Sequence, residues 1–136
     1  MSERVFVRFQ APTRNARNIF PGVFALANAL AHSGVLSESE YRFWRSGNDW
    51  YNAHLTNPGT VDPTVFDRGV NPVTASWFTT AAVESLDRVA GYLDLLAAHG
   101  VACERLESTD PGRILYEDAW QVVVAPRTEV PLRTFP

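Results

Sequence analysis

Apolar and polar positions alternate with a period of two across Val5-Phe6-Val7-Arg8-Phe9. Val5, Val7 and Phe9 share one side, Phe6 and Arg8 the other, which predicts a strand with one buried face. Gln10 to Asn18 is polar and turn-rich and reads as a loop. From Val23 the period becomes helical, with Val23, Leu26, Ala27 and Leu30 on one stripe, and Gly34 stands where a left-handed C-terminal residue is wanted. Ser37 and Glu40 have the spacing of a capping box, so a second helix starts near Glu38. Phe43 and Trp44 give it an apolar face, Gly47 is expected to bend or break it, and Trp50, Tyr51 and Leu55 carry the spacing on.

The period then lapses. Asn57-Pro58-Gly59 predicts a type II turn, with Gly59 at positive φ. Asp62-Pro63 and Asn71-Pro72 are extended or turn dipeptides, and Thr64 to Arg68 fits a short helical turn. The longest helix is expected from Thr74 or Ser76 to His99. Its apolar stripe is Val83, Leu86, Ala90, Leu93 and Ala97, widened by Val89 and Leu96, and Gly100 ends it. Val101 to Glu107 alternates as a strand. Arg113 to Tyr116 and Trp120 to Ala125 predict a hairpin. The order is β-α-α-α-β-β-β, an α+β class: one domain over residues 1–125, a small antiparallel sheet with helices packed on one face, and an extended Pro-containing tail over 126–136.

Composition narrows the chemistry. The chain has 136 residues, 46% hydrophobic and 20% charged, which suits one globular domain. A single cysteine, Cys103, excludes an internal disulfide and every zinc site that needs two thiolates. Its place on an alternating segment predicts a core residue. All twelve basic residues are Arg, which removes Schiff-base and P-loop lysines. Any anion would be held by Arg in a bidentate manner. The net charge of −3 disfavours nucleic acid as a partner, although Arg14 and Arg17 lie in a basic N-terminal stretch. The absence of a secretory pattern and of a long apolar run predicts a cytoplasmic location without membrane insertion.

Nucleotide, serine-hydrolase and zinc-protease fingerprints are absent from the sequence, and His32, His54 and His99 are too scattered to suggest a metal, so no cofactor is expected. The residues left to consider cluster between Asn48 and Phe78. His54 is the candidate general base, with Asp62 or Asp67 to orient it or to act as acid. Arg68, with Arg14 and Arg17, would clamp an anionic group, and Trp50, Tyr51 and Trp77 would supply walls. Each has a structural alternative. His54 at a helix end can cap a carbonyl, Asp62 and Asp67 can bond the backbone two residues on, and the aromatics can be core. Trp77 and Phe78, placed at a helix start, would stand beside free N–H groups. Tyr116, Glu117 and Asp118 either line a cleft or make a hairpin turn.

The runs NDWYNAHLTNPGTVDPTVFDRGVNP, WF, YLDLLAAHGV and STDPGRILYEDAWQVVVAP resemble a family of short uncharacterised bacterial proteins. The resemblance covers nearly all of the chain to Pro126 and implies no activity, ligand or cofactor. Two function classes follow from the residues. The first is a small polar-ligand-binding protein acting as a cofactor-free hydrolase, lyase or transferase. The second is a non-enzymatic interaction module, such as an inhibitor, immunity or regulatory factor. A homodimer is compatible with either.

Overall fold

The computed structural model describes residues 4–126. The tail expected over 126–136 lies, beyond Pro126, outside the described residues. Among the described residues nine elements follow one another: β1 (Phe6–Gln10), α1 (Val23–Ser33), α2 (Glu38–His54), α3 (Pro58–Val61), β2 (Ala75–Thr79), α4 (Val83–Ala98), β3 (Glu104–Ser108), β4 (Arg113–Glu117) and β5 (Gln121–Ala125). The class is α+β, as the pattern predicts. The strands form one five-stranded sheet in the order β3-β1-β2-β5-β4, and β1–β2, β2–β5 and β4–β5 pair antiparallel. The chain divides into two compact units. One takes residues 4–8, 57–82 and 107–126 of those described, and the other takes Phe9–Thr56 and Val83–Leu106.

In the first unit, β2 replaces the expected start of the long helix. Trp77 and Phe78 are both buried although they point to opposite sides of the strand. A strand covered on both faces shows consecutive apolar residues, which a helical stripe also shows. Trp77 pairs with Val122 of β5, where Val122, Val123 and Val124 are all buried. The expected single buried face of β1 is corrected in the same way: Phe6 is as buried as Val7. Gln10, expected in a loop, is the buried end of that strand in the other unit. The β4–β5 hairpin forms as predicted, with a bulge between Ile114 and Tyr116. Gly112, just before β4, has φ 153°, and a Cβ there would run into the Ala125 carbonyl.

The second unit is helical. The Ser37–Glu40 capping box opens α2: the Glu40 N–H donates to Ser37 Oγ at 3.2 Å and the Ser37 N–H to Glu40 Oε1 at 2.8 Å. Glu40 Oε1 also lies 3.1 Å from His99 Nε2, and these bonds, the Ser37 N–H first, hold the carboxyl below its ordinary range. Gly47 does not break α2. It lies under Tyr92, whose hydroxyl would sit 2.5 Å from any Cβ at that position. Gly91 of α4 stands in the same relation to the Phe43 ring, so each helix gives a glycine to the other's aromatic.

The buried face of α4 is also rotated from expectation. Ser85, Val89, Tyr92, Leu95 and Leu96 are buried, whereas Val83, Ala90 and Ala97 are exposed. Tyr92, ranked as neither core nor site by the stripe, is the central side chain. Its ring packs edge-on to Phe24 and Phe43. Its hydroxyl donates to Asn48 Oδ1 at 2.6 Å, Asn48 Nδ2 donates to Asn28 Oδ1 at 3.1 Å, and Trp44 Nε1 donates to the same oxygen at 2.9 Å. One polar chain thus ties α1, α2 and α4 together inside an aromatic core. Burial, with Asp49 nearby, pushes the Tyr92 hydroxyl up to about 12. Gly100 is the predicted left-handed terminus at φ 70°, with Val101 N–H returning to the Leu96 carbonyl at 2.9 Å.

Candidate functional site

The last turn of α2 carries three of the candidate residues. His54 stacks on Trp50 with ring centroids 4.1 Å apart and planes 14° from parallel. The Arg88 guanidinium lies 4.1 Å from the same centroid. Two groups that close to one ring centre occupy its opposite faces, so Trp50 is sandwiched between an imidazole and a cation. Glu84 holds Arg88 in place through Nε at 3.2 Å and Nη2 at 3.1 Å. His54 Nδ1 lies 2.8 Å from the Trp50 carbonyl, so the ring serves as the cap of its own helix. Tyr51 is buried and donates its hydroxyl to the Ser85 carbonyl at 2.6 Å. Burial pushes that hydroxyl far above its ordinary range, the neighbouring Tyr92 adding to the shift. Tyr51 is therefore a core strut rather than a wall open to ligand.

Arg14 and Arg17 lie in the same unit, in an ordered turn. Arg14 donates to the Asn18 carbonyl at 2.9 Å and covers the Phe20 ring at 4.6 Å. Asn15 Oδ1 accepts the backbone N–H groups of Arg17 and Ile19, and Asn18 takes the left-handed conformation at φ 63°. Arg14 is thus committed to its own loop, while Arg17 is exposed.

Asp62, Asp67, Arg68 and Trp77 belong to the other unit. The segment after Leu55 is not the expected type II turn. Asn57 caps α3, with Pro58 at the first helical position, and Gly59 is not at positive φ. Proline and an Asn cap are as suited to a helix start as to a turn, which is why the dipeptide misleads. Asn57 Oδ1 accepts the Gly59 N–H at 2.9 Å, Asp62 Oδ1 the Thr64 N–H at 3.0 Å, and Asp67 Oδ1 the Gly69 N–H at 2.8 Å. The same side-chain turn recurs every five residues. Thr64 Oγ1 also donates to Asp62 at 2.7 Å, and the two Thr64 bonds hold that carboxyl below its usual range. Asn71 closes the segment, its amide donating to the carbonyls of Thr64 at 3.0 Å and Val65 at 3.1 Å. Val65 and Pro58 are the buried anchors.

Asp62 and Asp67 thus act through the bonds their structural alternative assigns them. Arg68 has no ion-pair partner among the described residues and is exposed. What the sequence concealed is the outer surface. Val61, Phe66, Val70 and Val73 are 44% to 62% exposed along this one braced segment. A five-residue spacing of Asn57, Asp62 and Asp67 was the available signal for the bracing. Trp77 is 2% exposed, so it is core in β2, and its Nε1 has no acceptor among the described residues. It does not stand at a helix N-terminus.

The third candidate group is a turn. Asp118 accepts from Tyr116 Oη at 2.7 Å, Trp120 N–H at 2.8 Å, Gln121 N–H at 3.1 Å and Gln121 Nε2 at 3.2 Å. Partial burial alone would raise its pKa, but the hydrogen bonds outweigh it and the carboxyl lies below its ordinary 3.8. A carboxyl lowered by folding stabilises the fold above its ordinary pKa, and that contribution is lost as pH falls through the lowered value. Asp118→Asn is expected to lower stability near neutrality and to flatten its decline below about pH 4, read by urea denaturation across pH.

Among the described residues no helix is long and apolar enough to cross a membrane. Comparison of the chain with protein-family models, with curated proteins and with solved structures finds no match.

Proposed function

We propose that the protein is a non-enzymatic protein-interaction module whose docking surface is the braced segment from Val61 to Val73. The observation that carries this reading is the pairing of internal bracing with outward apolar side chains. Asn57, Asp62, Asp67 and Asn71 use their polar atoms to fix the backbone, while Val61, Phe66, Val70 and Val73 face solvent. A surface already held in shape loses little conformational entropy on binding. Phe66 supplies an exposed aromatic ring and Arg68 an exposed guanidinium, and arginine is one of the residue types that dominate interface energies. A protein partner with an apolar centre fits this surface.

The enzyme class considered from sequence depends on His54, Asp62 and Asp67, and each already serves as a cap or turn acceptor. Affinity purification of the tagged protein from its native cells separates the two. The wild type is expected to retain a stoichiometric partner, and Phe66→Asp with Val70→Asp to retain less than about a tenth of it, while His54→Ala retains it fully. Retention unchanged by the double substitution would overturn the assignment, as would no stoichiometric partner at all. Matched thermal unfolding of the variants excludes misfolding as the cause.

A further inference from the structure

Asn57, Asp62 and Asp67 build the same side-chain turn, each with one oxygen accepting the N–H two residues on. The turn needs a single acceptor oxygen, which an amide supplies as well as a carboxylate. Asn57 demonstrates this within the chain itself. Asp62 and Asp67 therefore carry something that the bracing does not use, a second oxygen and a negative charge. Among the described residues no hydrogen bond or ion pair reaches Asp62 Oδ2, Asp67 Oδ2 or the Arg68 guanidinium. All three residues are exposed. The bonds from Thr64 hold the Asp62 carboxyl below its usual range, so it is ionised at neutral pH.

These charges are interleaved with the outward apolar side chains. Asp62 follows Val61, Asp67 follows Phe66, and Arg68 comes next. An exposed, unpaired charge adds little to the stability of a fold. At an interface it selects the sign of the partner's charge and speeds encounter. We infer that the partner of this surface presents a peptide segment with an apolar centre flanked by arginine or lysine, whose cations meet Asp62 and Asp67. A uniformly basic segment would be repelled by Arg68, and a uniformly apolar one would forgo both carboxylates. The inference rests on the reading of Val61–Val73 as a docking surface and adds the chemistry of what docks there.

Selection from a displayed library of random peptides, about twelve residues long, tests the two readings apart. Against the wild type, the enriched peptides are expected to combine aromatic or aliphatic residues with Arg or Lys on either side. Asp62→Asn/Asp67→Asn leaves each turn its acceptor, which matched thermal unfolding checks. Against it the apolar residues are expected to persist and the basic preference to vanish. The most enriched wild-type peptide, labelled and followed by fluorescence anisotropy, is expected to bind about tenfold more weakly at 500 mM than at 50 mM NaCl, and to show a change of about twofold or less with the double variant. Should that variant melt low, Asp67→Asn alone replaces it, since its turn holds one bond where that of Asp62 holds two, and a salt effect of about threefold is then expected. Apolar peptides without a basic preference, or the same salt dependence for wild type and variant, would overturn the partner chemistry and leave the docking surface standing. No enrichment by the wild type, or the same peptides enriched by Phe66→Asp/Val70→Asp, would remove the docking surface and the inference with it.

Discussion

Gly112→Ala is expected to lower the melting temperature by about 10–15 °C, a loss of about 3–4 kcal/mol. Two costs combine. At φ 153° the backbone lies in a region that residues with a Cβ scarcely enter. The added methyl would also meet the Ala125 carbonyl, a backbone atom that cannot swing aside because Ala125 is in register with Arg113 in the hairpin. Gly34 provides the control. It also has a positive φ, 79°, but nothing lies within 4 Å of a Cβ there. Gly34→Ala therefore meets only the left-handed conformational cost, about 1 kcal/mol. Differential scanning calorimetry of the two variants separates the effects. Melting temperatures within a degree or two of each other would show that the contact with Ala125 does not matter.

Gly47→Ala carries the second large effect, a net destabilisation of about 2 kcal/mol. Replacing glycine in a helix interior ordinarily gains about 1 kcal/mol in propensity. Here the methyl would displace the Tyr92 hydroxyl. Tyr92 is 1% exposed and has nowhere to go, and its movement strips Asn48 of a 2.6 Å hydrogen bond. Overpacking and a broken buried bond outweigh propensity. Gly91→Ala is nominally similar, with the Phe43 ring 2.6 Å from the added Cβ, yet it is expected near neutral. Phe43 is 37% exposed and can turn outward. In a Tyr92→Phe background, Gly47→Ala should cost about 1 kcal/mol less than in the wild type, a coupling that urea titration of the four proteins measures. Additive behaviour would remove the hydroxyl from the explanation.

Local signals in this chain were legible where one segment settles its own geometry. The Ser37–Glu40 box, Gly34 and Gly100 as left-handed termini, and the hairpin about Asp118 each need only a few neighbouring residues, and each formed. The failures share a cause. Trp77-Phe78, Gly47 and Tyr92 take their roles from residues distant in sequence: Val122, Tyr92 and Asn48. A strand buried on both faces and a helix turned by one tyrosine have no distinguishing local period. For the candidate residues, the types were informative but the atoms were not. His54, Asp62 and Asp67 were singled out because they can exchange protons, and spacing alone does not show that one oxygen or nitrogen of each is committed to a backbone group. Exposure at Val61, Phe66, Val70 and Val73 is a property of the folded surface, with no counterpart in composition.

The five-residue recurrence of side-chain turns has a consequence for how such a surface could change over time. Asn57, Asp62, Asp67 and Asn71 draw their partners from within the segment itself. Backbone shape is therefore encoded by one set of positions and outward chemistry by another, at 61, 66, 70 and 73. Replacing the second set leaves the first untouched. A lineage carrying this loop could acquire a new binding preference by drift at four codons without passing through an unfolded ancestor, and a library randomised at those codons would sample the same possibility in the laboratory.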